Sequence, residues 1–248
     1  MTSTTNLQDT VVLITGGAGF LGGHFATALK AAGATVVVTD LTEADVVMDV
    51  TDQQSIDDAF ASVVSEHGKI DVVINNAARD PKFDAKSDQN QLDFTNYPEE
   101  AMQASLNVNL LGAWRVCKTA VEQMKTAGGG TIVNVASFYG VTPPRQEVYP
   151  VGTEKPIDYA ITKAGLIMLT RQIASQFGAD GIRANALAPG GVFNEHDDEF
   201  VAKYKEHTSL DRMNTPEEIA DALVFLCSPA SRGMTGETLV VDAGWRSR

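Results

Sequence analysis

Tyr159 and Lys163 lie four residues apart at the start of a helical pattern, so one helix face would carry both side chains. A neighbouring ammonium stabilises a phenolate, and lowering the pKa of a tyrosine from about 10 towards 7 needs about 4 kcal/mol of differential stabilisation. Such a phenol exchanges a proton with a substrate oxygen at neutral pH. By itself, a pair with this spacing more often marks a surface contact. The pair indicates acid–base chemistry only in combination with other motifs.

A glycine-rich segment follows the first β-branched run and precedes an Ala-rich helical pattern. Glycines let the backbone turn tightly and approach a pyrophosphate, whose charge the N-terminus of the helix stabilises. The alternative is a tight turn that needs glycine for steric reasons alone, but the position between a first strand and a first helix favours phosphate binding. We predict that the segment binds a dinucleotide through Gly16, Gly19, Phe20, Leu21 and Gly22.

Asp40 ends the second predicted strand, where a carboxylate accepts hydrogen bonds from both hydroxyls of an adenosine ribose. The same charge would repel a 2′-phosphate, and neither Ala18 nor Leu41 supplies the cation that such a phosphate needs. A helix-capping or turn aspartate is the alternative. We therefore expect NAD, rather than NADP, as the cofactor.

Two further strand ends carry polar residues at the same predicted edge. Asp49-Val50 would meet the adenine through the Asp carboxylate and the Val main chain, and a turn before a helix is the alternative. Asn75-Asn76-Ala77-Ala78 ends the fourth strand, where the asparagines would tie neighbouring strands and the alanines would let a ribose approach, although a plain turn also explains the asparagines. The predicted cofactor contacts here are Asp49, Val50, Asn76 and Ala77.

The charge balance excludes several classes of function. The chain of 248 residues carries 32 acidic and 19 basic side chains, a formal net charge of −13. Binding to nucleic acid or to anionic lipid needs a basic face, which this balance disfavours. The 4 histidines are scattered and form no cluster with metal-ligand spacing, so no metal is predicted.

Cys117 and Cys227 each lie in an apolar helical stretch and are interpreted as buried free thiols, although one disulfide is arithmetically possible. Residues 1–10 are polar and lack the pattern of a signal peptide. No apolar run approaches the about 18 residues of a membrane span. We expect a soluble, cytoplasmic protein.

Short β-branched runs alternate with longer helical patterns along the chain. The predicted strands cover residues 10–15, 35–39, 45–48, 70–75, 131–136, 182–187 and 238–241. The predicted helices cover about 22–32, 53–67, 98–127, 159–177 and 216–226. Most strand runs are continuously apolar, as in parallel strands covered on both faces. The pattern predicts an α/β fold, with a doubly wound parallel sheet of about seven strands, helices on both faces, and one domain over residues 1–248.

Two features of the connections affect the predicted site. Only about half a dozen residues join the second and third strands, whereas a helical crossover needs a dozen or more, so that edge should be thinly covered. Residues 78–97 and 139–158 form long loops at the carboxyl ends of strands, where ligands bind in such sheets, and residues 191–213 form a third. We interpret all three as substrate loops and the first two as lids.

Together, these motifs resemble the short-chain dehydrogenase/reductase family in its short single-domain branch. The matching pieces follow the family's order over nearly the whole chain: Thr15-Gly16 with the glycine loop, Asn75-Asn76-Ala77, Asn109-Leu110-Leu111-Gly112, Asn134-Val135-Ala136-Ser137, Tyr159 to Lys163, Pro189-Gly190 and Val241-Asp242-Ala243-Gly244-Trp245. The resemblance implies a Rossmann fold and an NAD-dependent oxidoreductase that transfers a hydride between the nicotinamide and a secondary alcohol or ketone. One departure is the loop TGGAGFLG, whose glycine spacing is similar to that of the family's longer, sugar-nucleotide-modifying branch.

Carried over by position, the resemblance implies four catalytic residues. Tyr159 would be the general acid/base, and Lys163 would lower its pKa and hold the nicotinamide ribose. Ser137 would hydrogen-bond the substrate oxygen, and Asn109 would keep a water in a proton relay. Standing alone, Ser137 would be a strand-end turn residue and Asn109 a buried helix residue bonded to main chain. The main chain of Pro189, Gly190 and Val192 would contact the nicotinamide carboxamide.

The two enlarged loops bring Arg79, Lys82, Arg145 and Lys155 into an otherwise acidic protein. We hypothesise that these bases receive a polyhydroxylated or anionic substrate, such as a sugar acid or a phosphorylated or nucleotide-linked sugar; solvated side chains are an equal alternative. Residues 189–204 are similar to relatives in bacterial surface-sugar and flagellin modification. The sequence is also compatible with 3-oxoacyl thioester reduction, with cyclic diol or steroid oxidation, and with a non-catalytic dinucleotide-binding regulator.

Long apolar helices are predicted at residues 102–124 and 159–177, with Ala164, Gly165 and Leu169 beside the catalytic face. Such helices could pair about two-fold axes, and members of the resembled family are commonly tetramers. We therefore expect a homo-oligomer, either a tetramer or a dimer.

Overall fold

The computed structural model describes residues 5–80, 94–149 and 155–248. Its strands are β1 (Val11–Thr15), β2 (Thr35–Asp40), β3 (Val46–Val47), β4 (Val72–Asn75), β5 (Gly130–Val135), β6 (Ile182–Pro189) and β7 (Thr238–Val241). All pair in parallel in one sheet with the order β3-β2-β1-β4-β5-β6-β7. The predicted doubly wound α/β fold is confirmed.

The α-helices of the described residues flank this sheet. They are α1 (Phe20–Ala31), α2 (Gln53–His67), α3 (Glu99–Ser105), α4 (Ala113–Ala127), α5 (Ile157–Phe177), α6 (Asp198–Glu206) and α7 (Pro216–Cys227). The helix expected over residues 98–127 is divided, because a π-helical segment, Leu106–Gly112, lies between α3 and α4. α7 begins where the sequence predicts, with Thr215 and Glu218 forming a capping box.

Apolar side chains cover both faces of the sheet. Val11 and Leu13 of β1 pack in a cluster with α2 and α4, whereas Val12 and Ile14 pack in a second cluster with α1 and α7. Successive residues of a strand point to opposite faces. A strand that is covered on both sides must therefore be apolar throughout, which explains the continuous apolar runs.

The strand order reverses between β1 and β4, because the chain adds β2 and β3 on one side and β5, β6 and β7 on the other. Ligands of such sheets bind at the carboxyl ends of the strands beside this reversal. Thr15 at the end of β1 is level with Asn75 of β4, and Asn75 is level with Asn134 of β5. The sequence motifs therefore meet at one edge of the sheet.

The connection from β2 to β3 contains no helix, as predicted. β3 has only 2 residues, and Val47 is 66% exposed, so this edge is thinly covered. The prediction of buried free thiols at Cys117 and Cys227 is also confirmed. No helix of the described residues is long and apolar enough to cross a membrane.

The expectation of a loop over residues 191–213 is wrong, because this segment contains α6. The signal was in the sequence: Asp197 caps the helix, Asp198 and Glu199 lie in its first turn, and Lys203 and Lys205 lie in its last. A helix of 9 residues is easily overlooked among polar neighbours. Of the two expected lids, residues 81–93 and 150–154, with Lys82, lie outside the described residues.

Candidate active site

The turn between β1 and α1 presents main chain to the sheet edge. Gly16 has a φ of +63°, and a Cβ there would lie 2.6 Å from the Cα of Ala77, so only glycine fits between these strand ends. Gly19 is the N-cap of α1 and brings no side chain to the first turn. That turn contains Phe20, Leu21 and Gly22. Its N–H groups lack intrahelical partners, so the turn fits the pyrophosphate of a dinucleotide.

Asp40 holds this turn from the end of β2. Its Oδ2 accepts a hydrogen bond from the N–H of Ala18 (3.1 Å), and its Oδ1 accepts one from the N–H of Leu41 (2.8 Å). A carboxylate has about four acceptor positions. Asp40 therefore keeps capacity for ribose hydroxyls while it fixes the loop.

Asparagine side chains tie the ends of β1, β4 and β5 together, as the sequence predicts. Asn76 Nδ2 donates to the main-chain oxygens of Thr15 (3.1 Å) and Gly16 (2.7 Å). Asn75 Nδ2 donates to Asn134 Oδ1 (2.8 Å). These bonds fix the strand ends that flank the glycine turn.

Asp49 and Val50 follow β3, but the Asp49 carboxylate serves a local turn. Its Oδ1 accepts from the N–H (2.8 Å) and the hydroxyl (2.7 Å) of Thr51. The Val50 side chain is buried and would meet a Cβ at Gly112 at 2.9 Å. The alternative of a turn before α2 describes Asp49 here, and the cofactor contacts of both residues stay predictions.

Ser137 and Tyr159 come from different elements and meet through close packing. Ser137 follows β5 and caps a short 3-10 turn, Phe138–Gly140. A Cβ at Gly140 would lie 2.8 Å from the carbonyl carbon of Lys163, so glycine lets this turn contact α5 directly. The Ser137 hydroxyl consequently lies beside the Tyr159 phenol, close enough to lower its pKa.

Lys163 is buried, and its Nζ donates to the main-chain oxygen of Val135 (2.7 Å). The same Nζ lies 5.8 Å from the centre of the Tyr159 ring. Burial lowers the pKa of Lys163 to about 8, although the Asp80 carboxylate acts in the opposite direction. The predicted meeting of Ser137, Tyr159 and Lys163 is thus present, with the lysine close to its point of deprotonation.

The structure reverses the expected change in the acidity of Tyr159. Burial raises the pKa of its phenol and the charge of Asp80 raises it further, whereas the hydrogen bond from Ser137 lowers it. The sequence-based expectation considered the cation of Lys163 but not the desolvation of the phenol. The Tyr159 phenol is therefore protonated at neutral pH, in the form that donates a proton.

Asn109 lies fully buried in the π-helical segment. Its Oδ1 accepts from the N–H of Arg79 (2.7 Å), and its Nδ2 donates to the main-chain oxygen of Arg79 (3.0 Å) and to Thr162 Oγ1 (3.2 Å). Both N–H groups of the amide are therefore used. These contacts match the alternative of a buried residue bonded to main chain, and the role of Asn109 in keeping a water in the proton relay stays a prediction.

β6 ends at Pro189, and the predicted contact residues Gly190 and Val192 follow it. Tyr204, which the sequence did not suggest as a site residue, holds this segment. The hydroxyl of Tyr204 accepts a hydrogen bond from the N–H of Gly191 (2.6 Å). Tyr204 belongs to α6 and is buried. Because the sequence patterns did not predict α6, no pattern in the sequence placed Tyr204 at the site.

An aromatic cluster packs against Tyr159. The Trp245 ring packs on the rings of Phe138 (5.5 Å between centres) and Tyr204 (4.5 Å). The hydroxyl of Tyr149 donates to that of Tyr139 (3.0 Å). These residues come from distant segments, so their spacing carried no signal.

Within the described ranges, no group of His, Cys, Asp and Glu is arranged to hold a metal.

Arg145, one of the bases expected to receive substrate, is engaged by contacts within the chain. Its guanidinium donates to the main-chain oxygen of Arg248 (2.9 Å) and to His207 Nδ1 (2.9 Å), and it lies 5.7 Å from the centre of the Trp245 ring. These contacts hold the C-terminal residues in place.

Lys155, by contrast, lies in the candidate site. Its Nζ is 4.1 Å from the centre of the Tyr159 ring and 2.6 Å from Asp80 Oδ1. Arg79 precedes Asp80, and its main chain is bonded to Asn109. Of the four bases singled out in the two enlarged loops, Lys155 is the one whose charged group contacts the Tyr159 ring in the described residues.

Comparison with known proteins extends over the same elements. Residues 18–246 match a family model described as enoyl-(acyl carrier protein) reductase. The chain is 33% identical to the short-chain type dehydrogenase/reductase y4vI of Sinorhizobium fredii, over 96% of this chain and 44% of y4vI. It is 30% identical to the 3-oxoacyl-[acyl-carrier-protein] reductase FabG of Thermotoga maritima, over 96% of this chain and 98% of FabG. It is 34% identical to an L-rhamnose 1-dehydrogenase (NAD(P)(+)) of a Sphingomonas species, over 79% of this chain and 74% of that protein.

Solved structures share the architecture. A short-chain dehydrogenase from Leptospira borgpetersenii with bound NAD+ superposes with a TM-score of 0.87 and 28% identity, over 99% of this chain and 96% of that chain. A gluconate 5-dehydrogenase from Burkholderia cenocepacia in complex with NADP and tartrate superposes with a TM-score of 0.85 and 26% identity, over 99% of this chain and 98% of that chain. The chain therefore belongs to the short-chain dehydrogenase/reductase family, a family of oxidoreductases that bind nicotinamide dinucleotides.

Proposed function

We propose that this chain is an NAD-dependent oxidoreductase that acts on the secondary alcohol or ketone of a polyhydroxylated or anionic, sugar-like substrate. The observation that carries the proposal is the convergence of Ser137, Tyr159 and Lys163 at the sheet edge that also carries the glycine turn. A nicotinamide dinucleotide held by that turn would supply the hydride donor or acceptor.

Tyr159 would exchange the proton with the substrate oxygen, and Ser137 would position that oxygen by a hydrogen bond. At neutral pH the Tyr159 phenol carries the proton that the reductive direction needs, although burial raises its pKa and so makes it a weaker acid. The oxidative direction needs the phenolate, so its rate should rise with pH. Lys163, fixed on Val135 and with a pKa of about 8, would bind the ribose and exchange protons near the phenol. Pro189, Gly190 and Val192 would contact the carboxamide through main chain.

The position of Asp40 supports a preference for NAD. Its carboxylate lies where the ribose hydroxyls would be recognised, and its charge would oppose a 2′-phosphate. The groove beside Ala18 is also lined by two further carboxylates, Glu43 and Asp45, and by one base, Lys30. Its net charge would therefore also oppose a 2′-phosphate. The Asp40→Ser variant should shift the ratio of NAD to NADP affinities towards NADP by about tenfold, or about 1.4 kcal/mol. Cofactor fluorescence titrations measure this ratio, and an unchanged ratio would contradict the role of Asp40.

The sugar-like substrate class is supported by the relatives that act on L-rhamnose and gluconate. In the described residues, the polar pair of Lys155 and Asp80 lies beside Tyr159, where a hydroxylated substrate finds a donor and an acceptor. Exposed apolar side chains on α4 and α5, namely Trp114, Ile161 and Met168, support the proposal of a homo-oligomer.

The decisive experiment is a nicotinamide absorbance assay with NAD and NADP in parallel. The substrates are L-rhamnose, D-gluconate and an acetoacetyl thioester, each tested in the wild type and in the Tyr159→Phe variant. We expect turnover with a sugar or sugar acid and a loss of about a hundredfold or more in Tyr159→Phe, since general acid–base catalysis contributes that much. Cofactor fluorescence should show retained binding in the variant.

Three results would contradict the proposal. Turnover unaffected by Tyr159→Phe would remove the acid–base role. Turnover of the thioester alone would assign the substrate class of FabG. Cofactor binding without any turnover would favour a dinucleotide-binding regulator.

A further inference from the structure

An ion pair lies directly on the ring of Tyr159. The Nζ of Lys155 is 2.6 Å from Asp80 Oδ1 and 4.1 Å from the centre of the Tyr159 ring, whereas the Nζ of Lys163 is 5.8 Å from that centre. The Lys155 side chain is 12% exposed. Its ammonium is therefore enclosed between a carboxylate and an aromatic face, the geometry of a cation–π contact.

Both partners are anchored independently of each other. Asp80 follows Arg79, whose N–H and carbonyl are both bonded to the buried side chain of Asn109. The N–H of Lys155 donates to Gln146 Oε1 (3.0 Å). The anchors come from the π-helical segment and from the chain after β5, so separate parts of the fold bring the two partners onto Tyr159.

The ionisable groups that face Tyr159 in the described residues come from three segments. Asp80 follows β4, Lys155 and Lys163 belong to the start of α5 and the residues before it, and Tyr139 and Tyr149 follow β5. Asp80 is the carboxylate of this set and opposes loss of the phenol proton. The Nζ of Lys163 donates its hydrogen bond to the main-chain oxygen of Val135. Lys155 is thus the cation in contact with both the carboxylate and the ring.

We propose that Lys155 and Asp80 are positioning residues for the proton transfer at Tyr159. Asp80 holds the Lys155 ammonium on the ring face. The positive charge of this ammonium offsets the negative charge of the carboxylate, so that Tyr159 can act as a base in its phenolate form as well as an acid in its phenol form. The inference rests on the role proposed above for Tyr159, and it adds a second cation to the acid–base site besides Lys163.

The test follows the ionisation of Tyr159 itself and needs no substrate. The protein contains 5 tyrosines, so an isotope label at tyrosine Cζ gives a readable NMR spectrum, in which the Tyr159 signal is assigned by its loss in Tyr159→Phe. Titrations with NAD present run to the highest pH at which the fold persists. We expect Asp80→Asn to lower the midpoint of Tyr159 by about one pH unit, because it removes a charge and keeps the cation. Lys155→Met should raise the midpoint by a similar amount.

Two further variants separate this effect from loss of structure. Lys155→Arg keeps the cation and should restore the wild-type midpoint. Lys69→Met removes a matched ion pair, 2.8 Å from Asp71, at the opposite end of β4 and should leave the midpoint unchanged.

Identical behaviour of the Tyr159 signal in the wild type, Asp80→Asn and Lys155→Met would overturn the inference, and so would a lack of titration in all three. Full turnover in Tyr159→Phe would instead overturn the proposed function. The two failures are distinguishable because the NMR titration reports on the phenol without catalysis.

Discussion

Burial of Lys163 makes a prediction about stability that is separate from activity. Its pKa falls from an ordinary value of 10.5 to about 8 in the folded protein. Each unit corresponds to about 1.4 kcal/mol, so the buried ammonium costs about 3 kcal/mol of folding free energy at neutral pH. Replacing it by methionine removes this cost and also a hydrogen bond to Val135 worth about 1 kcal/mol. Lys163→Met should therefore be more stable than the wild type by about 2 kcal/mol at neutral pH, although it loses activity.

The sign of the pH dependence follows from the direction of the shift. Between the folded value of about 8 and the unfolded value of 10.5, the unfolded state binds more protons than the folded state, so wild-type stability rises with pH. Below that window the full cost is present. The stability advantage of Lys163→Met should consequently be largest at neutral pH, pass through zero within the window and become a deficit of about 1 kcal/mol at its top, where only the lost hydrogen bond to Val135 remains.

Urea unfolding followed by tryptophan fluorescence at several pH values measures this difference directly. Lys30→Met is the matched control, because Lys30 is an exposed lysine on α1 and its replacement should give a small difference that does not change with pH. A Lys163→Met variant that is less stable than the wild type at neutral pH would refute the reasoning. So would a difference that is constant across the pH range.

Two more predictions concern contacts that hold the site. Asn109→Leu should lower the free energy of unfolding by about 1–3 kcal/mol in urea unfolding, because it leaves the N–H and carbonyl of Arg79 without their Asn109 partners. A loss below about 0.5 kcal/mol would contradict a stabilising role for these bonds. Arg145→Met should lower stability by about 1–2 kcal/mol while the KM for D-gluconate or L-rhamnose stays constant, because the guanidinium holds the main chain of Arg248. A tenfold higher KM with unchanged stability would restore the role of Arg145 in substrate binding.

Local patterns in the sequence were sufficient for the architecture and for the set of residues at the sheet edge. Continuous apolar runs indicate strands covered on both faces, and parallel strands bring their carboxyl ends together, so Thr15, Asn75 and Asn134 meet without further information. The glycine turn and the position of Asp40 follow from the same reasoning. The exception is α6, whose dipole-matched charges were present but which has only 9 residues.

The contacts of individual polar side chains were decided by the tertiary structure. Asn109 and Arg145 carry polar groups that bind a ligand or main chain equally well, and only packing shows that main chain occupies them. Lys155 and Asp80 are 75 positions apart, so no local pattern relates them.

The chain by itself determined which elements form and which chemical groups gather at one edge, because secondary structure and strand polarity depend on short-range periodicity. The folded protein alone decided the protonation of those groups. The pKa of Tyr159 depends on how far the phenol is removed from water and on which charges lie within a few ångströms, and both are properties of segments distant in sequence. The same tyrosine–lysine spacing that suggested an acidic phenol therefore belongs, after folding, to a phenol that keeps its proton.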